Sequence, residues 1–325
     1  MRSRSLEQGS VVSGGGAGKR VAALDCGTNT LRLLVADLDL DSGEATYLDR
    51  RSTIVRLGQD VDRTGVFADA ALGRTFATLD DYQDIIERHH VNRVRFVATS
   101  AARDVKNREV FIRGVRERVG VEPEIISGQE EARLTYDGAT RQLVNRPDVA
   151  QPVLVLDIGG GSTELVMKED PDGRLLGVSV DVGSVRITER RLHSDPPTEA
   201  EVAAAVADVR AALDTVDLPM TSAGSLVGVA GTVTTLGAMV LDLEEYDRER
   251  VNLARLPRPD LERAIGRIIA MTVEERRALP FMHPDRADVI GAGAVVLRCV
   301  VERVGLSELI VSARDILDGI AWSMA

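Results

Sequence analysis

The stretch VLVLDIGGGSTELVM, which runs from Val153 to Met167, sets an aspartate and three glycines between two apolar runs. Apolar runs of this length are typical of buried β-strands, and the glycines between them indicate a tight turn. A looser copy, VAALDCGTNTLRLLV, lies about one domain length earlier, from Val21 to Val35. When the two aspartates are aligned, glycine, hydroxyl and leucine positions coincide as well. The chain is therefore predicted to be a duplicated pair of α/β units.

The rest of the chain alternates between short apolar runs of strand length and longer stretches with helical spacing. Prolines fall at the joints between these segments, where they disrupt neither kind of element. This alternation predicts an α/β fold in which helices pack on sheets. The clearest predicted helices are Asp69 to Arg88, Glu109 to Val119, Thr198 to Leu213 and Asp260 to Ala270.

Length and composition narrow the class of protein. A chain of 325 residues is long for one domain and favours two domains that share a cleft. No apolar run reaches the ~20 residues of a membrane-spanning helix. Cys26 and Cys299 lie too far apart in sequence to indicate a disulfide framework or a metal pair, and Cys26 is expected in the core. Residues 1–19 predict a disordered leader and not a secretory signal, so we expect a cytoplasmic protein without a membrane partner.

The chain is acidic overall but contains one basic segment. The net charge of −11 argues against a nucleic-acid binder, whose footprint would be basic. Residues 88–118, however, hold nine basic residues against three acidic ones. A run of this kind is most often a solvated helix face. The second interpretation is a track that guides an anionic ligand.

Both copies of the glycine motif have the chemistry of a phosphate site. Successive N–H groups in a glycine turn form a concave nest for an anion, and neighbouring hydroxyls supply further donors. Asp25 and Asp157 are expected to face each other across a cleft, where carboxylates suit Mg²⁺. A single turn of this type is usually plain structure, but two copies one domain apart are more specific. The candidate phosphate-binding residues are Gly27, Thr28, Asn29, Thr30, Gly159, Gly160, Gly161 and Ser162.

Three further segments add candidates. In VGVAGTVTTLGAMV, Gly231 and Thr232 precede a predicted helix whose N-terminus would hold a phosphate, although glycine there usually serves packing. VATSAARDVKN ends a strand with Ser100 and presents Arg103, whose planar guanidinium matches a phosphate. IISGQEEARLTYDGA carries Glu130 and Glu131, and a carboxylate near a phosphate cleft would deprotonate a water. Acidic residues at an exposed helix start are equally expected, because they favour the helix dipole.

Taken in order, DCGTNT, ATSAARDVKN, ISGQEEARLTYDG, DIGGGSTELV, VGSVR and GVAGTVTTL resemble the exopolyphosphatase and guanosine pentaphosphate phosphohydrolase (Ppx/GppA) family. The resemblance covers the chain from Val21 to its end and is closest to the short, two-domain, actinobacterial form. It implies the actin-like superfamily fold, with two ribonuclease-H-like lobes around a central cleft. The implied lobes are residues 20–130 and 131–312, and a C-terminal helix near 313–325 is expected to pack back on the first lobe.

The resemblance also implies roles for individual residues. Glu131 matches the catalytic base, Arg103 matches a basic arm opposite the phosphate loop, and Glu164 is tied to the attacking water. The implied metal ligands are Asp25, Asp157 and Glu164. The implied cofactor is Mg²⁺, with Mn²⁺ as an alternative, and the implied assembly is a homodimer.

The implied reaction is the hydrolytic release of terminal orthophosphate from inorganic polyphosphate, with short chains as the expected preference. A guanosine pentaphosphate 5′-phosphohydrolase would use the same loops. So would an ATP-dependent kinase or ATPase of the same superfamily, for which residues 227–240 are the candidate adenosine site. A non-catalytic sensor of polyphosphate or alarmone would also share them, and only turnover separates it from an enzyme.

Overall fold

The computed structural model describes residues 19–103, 105–143, 146–168 and 173–325. Residues 1–18 of the predicted leader therefore lie outside the described residues, and Lys19 is the first residue of a strand. The strands are β1 (Lys19–Cys26), β2 (Thr30–Leu38), β3 (Ala45–Ile54), β4 (Val94–Ala98), β5 (Glu124–Ile125), β6 (Val153–Ile158), β7 (Thr163–Lys168), β8 (Leu175–Val180), β9 (Ser225–Val229), β10 (Arg255–Pro257) and β11 (Glu308–Val311).

The helices connect and cover these strands, and short 3₁₀ turns lie at Met220–Ser222 and Pro284–Arg286. They are α1 (Val61–Thr64), α2 (Asp69–Arg88), α3 (Ser100–Arg103), α4 (Arg108–Val119), α5 (Gly128–Thr140), α6 (Ser184–Arg191), α7 (Glu199–Asp214), α8 (Ala230–Val240), α9 (Arg248–Val251), α10 (Arg258–Ala270), α11 (Val273–Arg277), α12 (Ile290–Val304) and α13 (Ile316–Trp322). Among the described residues, no helix combines the length and the apolar character needed to cross a membrane.

The two sheets repeat one topology. The first has the strand order β3-β2-β1-β4-β5, and the second has β8-β7-β6-β9-β11-β10. In each, three antiparallel strands are followed by two that run parallel to the first strand of the set. The second sheet adds β10 as an antiparallel edge. This repetition confirms the predicted α/β fold with two ribonuclease-H-like lobes.

Each sheet has a hydrophobic core on its outer face. In the first lobe, α2 and α4 cover β1, β2 and β4 with side chains such as Leu79 and Phe111. In the second, α7, α8, α10 and α12 cover β6, β7 and β9. Cys26 is 1% exposed in the first core, which confirms that it is a buried apolar position.

Two helices cross between the sheets. The last helix, α13, packs Ile316 and Ile320 against β1 and β2 of the first sheet, whereas α5 packs Ala132 and Tyr136 against β6 and β7 of the second. Each of these helices therefore follows the last strand of one sheet and covers the other sheet. The lobe boundaries at 20–130 and 131–312 stay a prediction.

Candidate active site

The two glycine turns lie at the ends of β1 and β6 and line a single cleft between the sheets. The cleft encloses about 760 Å³, including the part open to solvent. The predicted residues that line it are Asp25, Gly27, Thr28, Asn29, Thr30, Ser100, Glu131, Asp157, Gly159, Gly160, Ser162, Glu164, Gly231 and Thr232. Arg103 and Gly161 are not in this lining. Gly161 faces a smaller adjoining cavity, and Arg103 lies behind Glu131.

The first loop is held by its carbonyl groups. The Gly27 N–H donates to the Thr30 carbonyl at 3.0 Å, and the carbonyl of Thr28 accepts from Gly58 N–H at 2.8 Å. The Thr28 hydroxyl is hydrogen-bonded to the Ser100 hydroxyl at 2.9 Å. Toward the other described residues, the N–H groups of Thr28 and Asn29 donate no hydrogen bond. A fixed turn with free N–H groups is suited to an anion.

The second loop has the same arrangement. Its Gly159 N–H donates to the Ser162 carbonyl at 3.0 Å, and the Gly160 carbonyl accepts from the start of α6. The N–H groups of Gly160, Gly161 and Ser162 donate to no residue in the described ranges. A Cβ on Gly160 would lie 3.0 Å from Thr28 Cβ, so the absence of a side chain lets the two loops approach each other.

A buried ion pair neutralises the first aspartate. Arg32 Nε donates to Asp25 Oδ2 at 2.8 Å, and Arg32 Nη1 donates to Asp315 Oδ2 at 2.7 Å. Burial raises the pKa of Asp25, and Arg32 opposes that rise. Neither Arg32 nor Asp315 was among the predicted site residues. Arg32 lies directly opposite Asp25 in the antiparallel pairing of β1 and β2. Aligning these two predicted strands as a hairpin was therefore the one way to find Arg32 from the sequence.

The second aspartate lies beside another acid. Asp157 pairs in register with Glu164, and both side chains are buried. Burial raises the pKa of Asp157 to about 7, with Arg32 opposing it and Asp315 and Glu131 adding to it. Burial also raises the pKa of Glu164, and the charges of Glu131 and Asp157 raise it further. The cleft therefore concentrates more carboxylates than its nearest arginine can neutralise.

Glu131 is placed by the start of α5. The Ser127 hydroxyl caps that helix by accepting from the Glu130 N–H at 3.2 Å. Glu131 is 8% exposed, and its side chain enters the cleft and accepts from Arg103 Nη1 at 2.9 Å. Burial raises the Glu131 pKa, and Arg103 opposes the rise. Arg103, which was expected to face phosphate, instead orients this carboxylate and also donates to the Ile126 carbonyl at 3.0 Å.

Arg286 was missed by the sequence analysis. It follows the 283–284 proline turn, which gives no signal for a ligand, yet it lines the cleft beside Gly231. A Cβ on Gly231 would lie 0.8 Å from Arg286 Nη1, so glycine makes room for the guanidinium. Its Nε is buried without a hydrogen-bond partner, and the guanidinium forms no ion pair within the described residues. Burial lowers the pKa of Arg286, and Arg32 lowers it further.

The carboxylates fit a cation only in part. Asp25 Oδ1 is buried without a hydrogen-bond partner, and Asp157 lies among other acids. Over the described ranges, however, no group of three or more His, Cys, Asp or Glu side chains is placed to hold a metal ion. Arg32 takes Asp25 Oδ2, and Ser179 donates to Glu164 Oε1 at 2.6 Å. Asp25, Asp157 and Glu164 therefore form no complete ligand set, but Mg²⁺ needs only one or two carboxylates besides water and phosphate oxygens.

Comparison with known proteins assigns the family. The model of the Ppx/GppA phosphatase family matches residues 36–325. The chain belongs to the Ppx/GppA phosphatase family. This Ppx/GppA chain is 47% identical to exopolyphosphatase 2 of Mycobacterium tuberculosis over 319 residues, which cover 94% of the chain and 98% of that protein.

A more distant relative is named guanosine-5′-triphosphate,3′-diphosphate pyrophosphatase in Aeromonas salmonicida. It is 27% identical, and the match covers 93% of this chain and 59% of that protein. Among solved structures, an exopolyphosphatase-like protein is 40% identical with a TM-score of 0.89, covering 93% of this chain and 98% of the other. The resemblance seen in the sequence to a short member of this family is confirmed.

The basic segment of this Ppx/GppA protein is less positive in three dimensions than in sequence. Arg95 pairs with Glu124 at 2.7 Å, and Arg118 with Asp80 at 3.1 Å. Arg116 pairs with Glu122, and Arg103 with Glu131. Asp104, one of its acids, lies outside the described residues. Since acids outside the segment take up several of its charges, a track for an anionic ligand stays a prediction.

Proposed function

We propose that the protein is an exopolyphosphatase, which releases terminal orthophosphate from inorganic polyphosphate by hydrolysis. The observation that carries the proposal is the joint presence, in one cleft, of two sets of free loop N–H groups and the buried Glu131. The name of the 47% identical mycobacterial relative supports the choice of polyphosphate.

The loops bind the terminal phosphoryl group. The N–H groups of Thr28 and Asn29 approach it from one lobe, and those of Gly160 and Ser162 approach it from the other. Arg286 adds a positive charge with no carboxylate partner among the described residues. Donors fixed in advance stabilise the charge that spreads over the phosphoryl oxygens in the transition state.

Glu131 prepares the attacking water. Its carboxylate accepts a proton from the water while Arg103 holds it in one orientation. The raised pKa of Glu131 makes it a stronger base than an exposed glutamate. The shortened polyphosphate leaves as a stable anion, so the bond is broken without a separate acid.

We further propose that Asp157 and the free Oδ1 of Asp25 hold Mg²⁺, or Mn²⁺ as the alternative, with Glu164 beside them. When bound, the cation would neutralise phosphate oxygens and the excess carboxylate charge. A homodimer and a cytoplasmic location also remain proposals, and light scattering of the purified protein tests the first.

The experiment measures orthophosphate release from tripolyphosphate, long-chain polyphosphate and guanosine pentaphosphate, with Mg²⁺, with Mn²⁺ and with a chelator. We expect release from polyphosphate that requires the cation and falls roughly 10²–10⁴-fold in Glu131→Gln, the usual contribution of a general base. Glu130→Gln is the matched control. Glu130 is the neighbour of Glu131 in sequence, but its carboxylate pairs with Arg133 and does not line the cleft.

Each other outcome points to one alternative. Preferential release from guanosine pentaphosphate would favour the activity named for the Aeromonas relative. Binding of these ligands without release would make the protein a sensor. Equal losses in Glu130→Gln and Glu131→Gln would remove Glu131 from its proposed role.

A further inference from the structure

A cluster of arginines surrounds Tyr47 on β3, outside the lining of the cleft. The guanidinium carbons of Arg50, Arg248 and Arg314 lie 5.8, 5.6 and 5.7 Å from the centroid of the Tyr47 ring. A cation–π contact involves one cation over one ring, so three cations around Tyr47 are more than such a contact requires. Because like charges repel, this cluster is stabilised when negative charge lies beside it.

The three cations differ in how well nearby acids compensate them. Arg50 pairs with Asp315 at 3.1 Å and with Asp318 at 3.0 Å. Arg248 donates to the Ala313 carbonyl and lies 3.7 Å from the largely exposed Glu249, and its charge lowers the pKa of Asp315 without an ion pair to it among the described residues. Through its guanidinium, Arg314 makes neither an ion pair nor a hydrogen bond with any residue in the described ranges.

The positive region extends beyond the ring. The Arg141 guanidinium carbon lies 3.8 Å from the Trp322 ring centroid. Burial lowers the pKa of Arg141, Asp137 opposes this, and Arg314 lowers the pKa further. The charges of Arg141 and Arg314 thus act on each other, and together with Arg248 they form one exposed to half-buried positive patch beside two aromatic rings.

Two connections link this patch to the cleft. Arg314 is two residues before Ile316, which lines the cleft, so their Cα atoms are at most roughly 7 Å apart. Between Arg314 and Ile316, Asp315 forms ion pairs with both Arg50, which lies beside Tyr47, and Arg32, which lies in the cleft.

We propose that Arg141, Arg248 and Arg314 form a second anion site, which binds phosphate groups of a polyphosphate chain away from the bond that is hydrolysed. Arginine suits this role because its planar fork matches phosphate oxygens and it remains charged. Polyphosphate carries a negative charge on every unit, so a chain held at its end in the cleft would present further charges to the patch. This inference rests on the proposed function, and it favours chains long enough to reach the patch over the short chains expected from the sequence.

The test compares KM and kcat for tripolyphosphate and long-chain polyphosphate in Arg314→Ala and Arg314→Glu. Arg314 is chosen because it holds no structural ion pair among the described residues, so both variants should keep the wild-type Tm. We expect KM for the long chain to rise about 3–10-fold in Arg314→Ala, the loss of one or two charge-assisted contacts, and further in Arg314→Glu. The kcat values and KM for tripolyphosphate should stay unchanged. Arg267→Ala, an exposed arginine on α10, is the control for a general loss of charge.

A second measurement separates this inference from the proposed function. Fluorescently labelled long-chain polyphosphate is titrated into Glu131→Gln, with and without Arg314→Glu, at several salt concentrations. Weaker binding and a smaller salt dependence in the double variant would support the site even if the wild type hydrolysed no polyphosphate. Equal KM changes for both chain lengths, or unchanged binding in the double variant, would show that the cluster is purely structural.

Discussion

At the scale of single residues, Asp25 and Asp157 show how a duplicated motif acquires two chemistries. They occupy equivalent positions near the ends of β1 and β6. The antiparallel partner of the first is Arg32, and that of the second is Glu164. Arg32 pairs with the first carboxylate, whereas burial, with added repulsion from Asp315 and Glu131, raises the pKa of the second to about 7.

The stability of the metal-free protein should therefore decrease as pH rises from 5 to 8. The folded pKa of Asp157 lies above its ordinary value of 3.8, so the folded state binds more protons than the unfolded state between pH 4 and 7. This contribution is complete below pH 4 and is lost as pH rises through about 7. We expect a loss of roughly 2–3 kcal/mol, because one pKa unit corresponds to about 1.4 kcal/mol.

Denaturant unfolding at several pH values, in the presence of a chelator, checks this prediction. Asp157→Asn should flatten the dependence, and Mg²⁺ should stabilise the wild type more at pH 8 than at pH 5. A pH profile of the wild type that matches that of Asp157→Asn would contradict the assignment.

At the scale of elements, the crossing of α5 and α13 depends on two glycines. A Cβ on Gly138 would lie 2.0 Å from the Asp315 carbonyl oxygen, and one on Gly319 would lie 1.9 Å from that of Leu134. Both obstacles are backbone atoms, which cannot move aside as the end of a side chain can. The crossing also sets the start of α13, where Asp315 binds Arg32.

Gly138→Ala should consequently destabilise the protein by roughly 1–3 kcal/mol through overpacking, despite the better helix propensity of alanine. Gly266→Ala is the matched control, since it also lies within a helix but its Cβ would meet no atom within 4 Å. That variant should be stabilised by up to about 1 kcal/mol. Thermal unfolding of both proteins measures the difference, and similar Tm values would contradict the close approach of the helices.

The local extent of several elements follows from sequence alone. The predicted helix Asp69 to Arg88 coincides with α2, and the other three predictions differ from α4, α7 and α10 by one or two residues. Apolar periodicity and proline positions are local properties, so they mark helix ends without knowledge of the fold. Which sheet a helix covers is not local, as α5 and α13 demonstrate.

At the scale of the whole molecule, ion pairs join the lobes beside the cleft. Asp62 of the first lobe accepts from Arg186 at 3.0 Å and also from Arg190 on α6. Arg56 pairs with Asp288 at 2.8 Å. Individually, partly exposed pairs of this kind contribute about 0–1 kcal/mol, but together they bias the separation of the lobes.

Asp62→Asn should shift the protein toward a more open arrangement. Since substrate contacts loops from both lobes, we expect KM to rise about 2–5-fold with little change in kcat, because the binding-competent population falls. Asp208→Asn is the control, because its partner Arg191 lies in the same lobe. Steady-state kinetics and small-angle scattering provide the measurements. The same KM in both variants, with no increase in the radius of gyration of Asp62→Asn, would contradict this account.

The sequence by itself was sufficient to predict the α/β class, the duplication, the glycine loops and the carboxylates near them. Each of these features follows from the spacing of apolar residues and glycines within a short segment. The pairing of Arg103 with Glu131, the entry of Arg286 into the cleft and the arginine cluster at Tyr47 emerge only from the folded chain. Each of these contacts joins segments that are distant in sequence. Such contacts depend on how helices and strands pack in space, and the charge or periodicity of one segment does not determine that packing.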